Sequence, residues 1–227
     1  MSADIPPASP GPADAPRDPA PAPRDPADAP RDPADALRDP ADVVGGPADA
    51  ARDPADEILD VVDEHDTVVA QVPRGDVYAR GLRHRCVFVE ARDAEGRVFV
   101  HRRTPTKLVF PSLYDMFVGG VVGAGESYDD AALREAEEEL GVTGLPRPVP
   151  LFTFLYDDGA GRSWWSAVYE VRCPRPVDPQ AEEVAWHGFL SDEELAARVE
   201  EWQWVPDGLA AYERLRALRA HSSPPGG

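Results

Sequence analysis

Only two cysteines, Cys86 and Cys173, occur in 227 residues. Two cannot build a disulfide framework, and both fall in strand-like segments, so each reads as a buried free thiol. Basic clusters are missing as well. The formal net charge is −19, and no Lys/Arg-rich run appears anywhere. Coating a nucleic acid requires Lys and Arg against its phosphates, which excludes a nucleic-acid polymer as partner. A small phosphorylated ligand is not excluded, because a bound metal offsets acidic groups. Long apolar runs are absent too: nothing approaches the roughly 20 residues that span a bilayer. The N-terminus shows no basic region followed by an apolar one, so no secretory signal is expected. The expectation is a cytoplasmic protein that makes no membrane contact, with a homodimer left open.

What is abundant is proline, unevenly spread. Residues 1–56 hold 14 of the 26 prolines, together with 12 Asp and 5 Arg. Arg17, Arg24, Arg31 and Arg38 recur every seven residues in RDPADA-like units. A coiled coil is ruled out by the prolines and by a seam that is nearly all alanine. Such a segment cannot bury enough apolar surface to offset its ordering entropy. Residues 1–56 are therefore expected to be a disordered, partly polyproline-like tail, with a folded domain over 57–220 and a frayed end at 221–227.

The pattern from residue 57 onward alternates strands and helices. EILDVVDEHDTVVAQV gives two short strands around a turn at Asp63–Asp66, and Pro73–Arg80 gives a short helix. RHRCVFVEARD and VFVHRR read as a hairpin, Thr104–Tyr114 as a loop, and MFVGG as a strand. LFTFLYDD and WWSAVYEVRC make another hairpin, and VAWHGFL a further strand. SDEELAARVEEW opens on a capping box, Ser191 with Glu194, and a last helix starts at Pro206 and runs to about Ala220. The class is α/β.

The most informative stretch is Gly120–Val142, GVVGAGESYDDAALREAEEELGV, a glycine-rich loop feeding a helix. At about 100° per residue, Glu135, Glu138 and Glu139 fall in one sector of that helix. Leu133, Ala136 and Leu140 occupy the opposite, packing side. Crowded carboxylates repel and raise one another's pKa unless a cation sits among them. Hard oxygen ligands suit Mg2+, with Mn2+ the alternative. A solvated acidic helix would explain the glutamates but not the glycines and Glu126 at its entry.

The same spacing resembles the Nudix box, G-x5-E-x7-R-E-U-x-E-E-x-G-U, where U is a bulky aliphatic. Gly120, Glu126, Arg134, Glu135, Glu138, Glu139, Gly141 and Val142 fit without a gap, with Ala136 smaller than usual. The resemblance implies a Nudix-type α/β/α sandwich with a mixed central sheet and metal-dependent hydrolysis of a small-molecule diphosphate substrate. It implies Glu135, Glu138 and Glu139 as metal ligands, with the Gly120 carbonyl, and Glu135, Glu139 and Arg134 as catalytic residues. Glu126 pairs with Arg134 or supports water, and Glu183 (or Glu182) is a further base or ligand from a later loop. LRHR, HRRTPTK and PSLYDM resemble the branch related to isopentenyl-diphosphate isomerase. The isomerase cysteine would fall at Gly119, one metal histidine at Val121, and RSWWSAVY lacks its second acid. Isomerisation therefore has no acid–base pair here. A non-catalytic nucleotide sensor is the other alternative, disfavoured because every box glutamate is kept.

Substrate contacts are read from Arg102, Arg103 and Lys107 for phosphate and from Phe154 and Trp165 for stacking. Phe152, Tyr156 and Tyr169 share these strands, and at least half of these aromatics are expected to be core. His84 is expected to be hydrogen-bonded or at the surface and not a ligand.

Overall fold

The computed structural model describes residues 54–107 and 109–222. The tail expected over 1–56 lies outside the described residues as far as position 53. Its last three residues need correcting: Pro54–Asp56 form a turn of 3-10 helix, with Ala55 against Gly75. The C-terminal boundary also shifts, because the last helix continues through Ser222. Residues 223–227 lie outside the described residues.

The elements follow the expected order. A hairpin of β1 (Ile58–Val62) and β2 (Val68–Pro73) leads into α1 (Arg74–Arg80). Then come β3 (Arg85–Arg92), β4 (Val98–Arg103), β5 (Tyr114–Asp115) and α2 (Tyr128–Leu140). β6 (Val149–Asp157), β7 (Ser163–Arg172), β8 (Val184–Leu190), α3 (Asp192–Glu201) and α4 (Pro206–Ser222) complete the chain.

The main sheet has the order β5-β4-β3-β7-β6, with β8 on β4. It is mixed: β3 and β7 run parallel from Arg85↔Trp165 to Arg92↔Arg172, and the other pairs are antiparallel. The expected β3–β4 hairpin is paired only at Arg92↔Val98. The segment expected as the strand MFVGG runs along β3 instead, bridging Val89 to Val118 and Cys86 to Val121. That contact threads the glycine-rich loop past the centre of the sheet.

Side-chain alternation builds two cores from one strand. Val87, Val89 and Ala91 of β3 face Ala131, Ala132, Ala136 and Leu140 of α2. Phe88, between them, faces Leu195 of α3 and Ala211 and Leu215 of α4. Helices therefore cover both faces, giving the three-layer α/β/α sandwich. A third, small core of Leu59, Val61, Val77 and Val121 joins the β1–β2 hairpin, α1 and the glycine-rich loop.

The ends of α2 are set by sequence. Ser127 caps it, its Oγ accepting from the Asp130 N–H at 3.1 Å. Gly141 closes it at φ 64°, and a Cβ there would lie 1.8 Å from the Asp178 carbonyl oxygen. Only glycine fits that left-handed, backbone-crowded position. The capping box at Ser191 and Glu194 forms in both directions at the start of α3.

Candidate active site

The glutamate face of α2 does not look into bulk solvent. Glu135, Glu138 and Glu139 line a cleft of ≈ 1330 Å³, with Gly119 and Gly120 on the loop opposite. Glu135 is 12% exposed in its side chain and Glu138 is 56% exposed, so the carboxylates step from the buried floor to the rim. Glu139 is deepest, its Oε2 accepting from the Gly119 N–H at 3.0 Å.

Arg134 ties the loop to the helix. Its Nε and Nη2 donate to the two oxygens of Glu126, each at 2.9 Å, a bidentate pair that lysine could not copy. Its Nη1 donates to Glu135 at 2.7 Å and to Glu138 at 3.4 Å, and Nη2 also reaches the Val121 carbonyl at 3.2 Å. Glu126 accepts from the Gly123 N–H at 2.9 Å as well. The hydrogen bonds that Arg134 donates to Glu126 are the largest cause holding its pKa above the ordinary value. Burial pushes Glu126 up, but Arg134 and the Gly123 N–H outweigh it and hold the carboxyl below its usual range.

The remaining acids are less well matched. Burial raises the pKa of Glu135 against the pull of Arg134. Burial, with the charge of Glu135 added, pushes Glu139 up to about 8. This is the repulsion expected of the helix face, with desolvation the larger cause. Among the described residues, no three His, Cys, Asp or Glu side chains converge into a formed metal cage. The oxygen-only donor set, the excess of carboxylate over guanidinium and the cleft location fit a hard divalent cation.

Gly120 bears on the site in two ways. Its carbonyl accepts from the Val87 N–H at 2.9 Å, which uses one of its two lone pairs. A Cβ on Gly120 would sit 2.6 Å from Glu135 Oε1. The missing side chain leaves room for the carboxylate. At Gly119 a Cβ would fall 2.0 Å from the Val87 carbonyl oxygen. The isomerase cysteine therefore cannot be accommodated here without moving β3.

Other expected contacts divide by strand parity. Arg103 and Lys107 line the cleft, whereas Arg102 turns to the Ser112 carbonyl at 3.1 Å and stacks over Tyr114. Glu183 lines the cleft mouth in an ion pair with Lys107 at 2.9 Å. Glu182 is exposed, and its carbonyl accepts from Thr104 Oγ1. Phe154 belongs to the α4-side core, beneath Arg214 at 4.4 Å, and does not reach the cleft. Trp165 is also a correction. Its Nε1 donates to the Asp63 carbonyl at 3.3 Å, on the face shared with Ala167 and Tyr169. The neighbouring Trp164, on the opposite face, is the one that lines the cleft.

Sequence reading missed Trp164, Tyr78, Asp115 and Asp207 as cleft residues. Trp164 packs near Tyr156 (4.8 Å between centroids) and stacks on His84 at 6.0 Å. His84 is buried and donates from Nδ1 to the Leu82 carbonyl at 3.0 Å, and burial lowers its pKa. Burial pushes Asp115 up to about 7, and the charge of Asp207 adds to the shift. The available signals were the doubled tryptophan and an aspartate directly after a helix-opening proline.

Comparison with known proteins settles the family. The NUDIX domain pattern matches residues 82–222. The chain belongs to the Nudix hydrolase family. It is 76% identical over 160 residues to the uncharacterized Nudix hydrolase SCO1686 of Streptomyces coelicolor, covering 70% of this chain and 88% of that one. The uncharacterized Nudix hydrolase YfcD of Escherichia coli K12 is 38% identical over 144 residues, covering 63% of this chain and 78% of its own. Among solved structures, the crystal structure of DR0079 from Deinococcus radiodurans matches with a TM-score of 0.60 at 33% identity, over 70% of this chain and 98% of that one. As a Nudix hydrolase the protein is an enzyme acting on small molecules. Among its described residues, no helix is long and apolar enough to cross a membrane.

Proposed function

We propose that this Nudix hydrolase cleaves the diphosphate bond of a nucleoside-diphosphate-linked or similar organic diphosphate, using Mg2+, with Mn2+ as a substitute. The observation that carries the proposal is the surplus of carboxylate on the cleft floor. Burial raises both Glu135 and Glu139, the charge of Glu135 adds to the shift of Glu139, and Arg134 is the guanidinium paired to that face. Glu135, Glu138 and Glu139 would hold the ion. When bound, it supplies charge neutralisation for the diphosphate and acidifies water.

The chain's own residues do the rest. Arg134 fixes the α2 carboxylates against the loop through Glu126. Arg103 and Lys107 meet phosphate oxygens from the opposite wall. A water attacks one phosphorus, the bridging P–O bond breaks, and a carboxylate of the pair Glu135 and Glu139 takes the water's proton. Glu183 works through Lys107, which it holds at the cleft mouth. The organic group lies along Trp164, His84 and Tyr78, where a flat ring has aromatic faces to stack on.

The test is hydrolysis by the purified full chain of nucleotide sugars, dinucleotides, nucleoside triphosphates and isoprenoid diphosphates, with and without Mg2+. Release of phosphate or a mononucleotide that stops on chelation supports the reading. Metal-independent release, or none from any substrate, sinks it.

A further inference from the structure

The β1–β2 hairpin stands apart from the main sheet and precedes the matched segment 82–222, yet it grips the loop that feeds α2. The outer edge of β1 is taken by that loop: Leu59 bridges to Gly123, and the Ala124 N–H donates to the Ile58 carbonyl at 2.9 Å. The strand reads ILDVV, and its one charged residue, Asp60, is only 4% exposed. A carboxylate buried in an apolar strand costs stability unless its hydrogen bonds are made.

Asp60 makes them across the seam. Its Oδ2 accepts from the Gly125 N–H at 2.9 Å, its Oδ1 accepts from Gln71 Nε2 at 3.0 Å, and Arg85 lies 3.9 Å away. Gly125 sits at φ 73°, next to Glu126. Glu126 holds Arg134, and Arg134 holds Glu135. A second tie runs in parallel: Asp66, in the hairpin turn, accepts from Arg85 at 2.7 Å and from the Tyr128 hydroxyl at 3.1 Å. Tyr128 is the first residue of α2.

We infer that Asp60 is a positioning residue, through which the hairpin fixes the glycine loop and so the place of Glu126, Arg134 and Glu135. The inference rests on the metal-site reading above only for its consequence, not for its geometry. If the hairpin merely covered Val121, losing the Asp60 carboxylate would lower stability and leave the loop and the ion untouched. As a positioning residue, Asp60 acts on both.

The experiment is amide hydrogen exchange on the full chain, with Mn2+ titration by calorimetry alongside. Asp60→Ala is expected to speed exchange over 123–126 at least tenfold while the amides of β7 stay as in the parent. Mn2+ affinity should fall about tenfold. Asp60→Asn, which keeps one acceptor oxygen, should fall between, and it carries the test should the alanine variant not fold. Gln71→Ala removes only the hairpin-side partner and should leave both readouts within twofold. Loop exchange unchanged in a folded Asp60 variant overturns the inference, as does equal loosening by Gln71→Ala. If the parent binds no Mn2+, the metal reading fails by itself, and loop exchange still decides the role of Asp60.

Discussion

Two clusters of glutamate and arginine sit in this domain, and they have opposite outcomes. Against α4, Glu90 is 1% exposed and receives Arg92 at 2.8 Å and Arg219 at 3.0 Å, while Glu170 and Asp192 take further arms of the same arginines. Two guanidiniums there meet three carboxylates, around a Glu90 that is shut away from solvent. At α2, Arg134 alone meets Glu126, Glu135 and Glu138, and Glu139 stands behind them. The first cluster staples the sheet to the C-terminal helix. The second is left short of positive charge, beside a cleft. The difference lies in stoichiometry and access, since both clusters pair arginine with carboxylates.

Breaking each cluster separates the two roles. Glu135→Gln is expected to lower turnover about a thousandfold, about 4 kcal/mol of barrier, with the melting temperature held or raised because a crowded charge is gone. Steady-state kinetics and a thermal melt on one preparation check it. Glu90→Ala should do the reverse. Leaving Arg92 without its buried partner costs about 3 kcal/mol of stability, read by urea unfolding, while turnover per folded molecule stays at the parent's level.

The pH dependence of metal stabilisation sharpens the comparison. Glu139 has a folded pKa of about 8 against an ordinary 4.5, so between those values the folded protein holds a proton that the unfolded chain has lost. Without metal, stability from this group therefore falls as pH rises from about 4.5 to about 8. Mg2+ replaces the proton, so the melting-temperature gain on adding Mg2+ should grow from pH 5.5 to pH 8.5. A gain that shrinks over that range contradicts the assignment of Glu139.

Smaller effects are expected on the substrate wall and the tail. Trp164→Ala should raise KM about tenfold with kcat little changed, the loss of one stacking face, whereas Trp165→Phe should leave both alone. Deleting residues 1–53 should change neither kcat nor KM by more than about twofold. Deletion through Gly81 should cost activity, because it removes Asp60 and Tyr78.

These contrasts show what the sequence could carry. Helix periodicity put Glu135, Glu138 and Glu139 on one side of α2, and the glycines told where the chain bends, because both are local properties. The order of elements was legible for the same reason, while the mixed three-layer architecture was implied by the resemblance of Gly120–Val142 to the Nudix box. The partner of each strand was not. Whether Trp164 or Trp165 meets the cleft depends on β7 lying parallel to β3 in one particular register, and a one-residue slip exchanges them. Phe154 looked equally available until α4 covered it. Asp60 carried a local clue, a charge inside an apolar strand, but its partner Gly125 lies 65 residues away.

The most direct test of the central claim is an anomalous difference map from crystals of the full chain soaked in Mn2+. The account predicts a peak in the cleft between α2 and the Gly119–Gly120 bend, within coordination distance of Glu135 and Glu139, with Glu138 turned inward. A peak on the outer side of α2 near Asp130 and Glu137, or no peak from a soak that leaves the crystals intact, would contradict it.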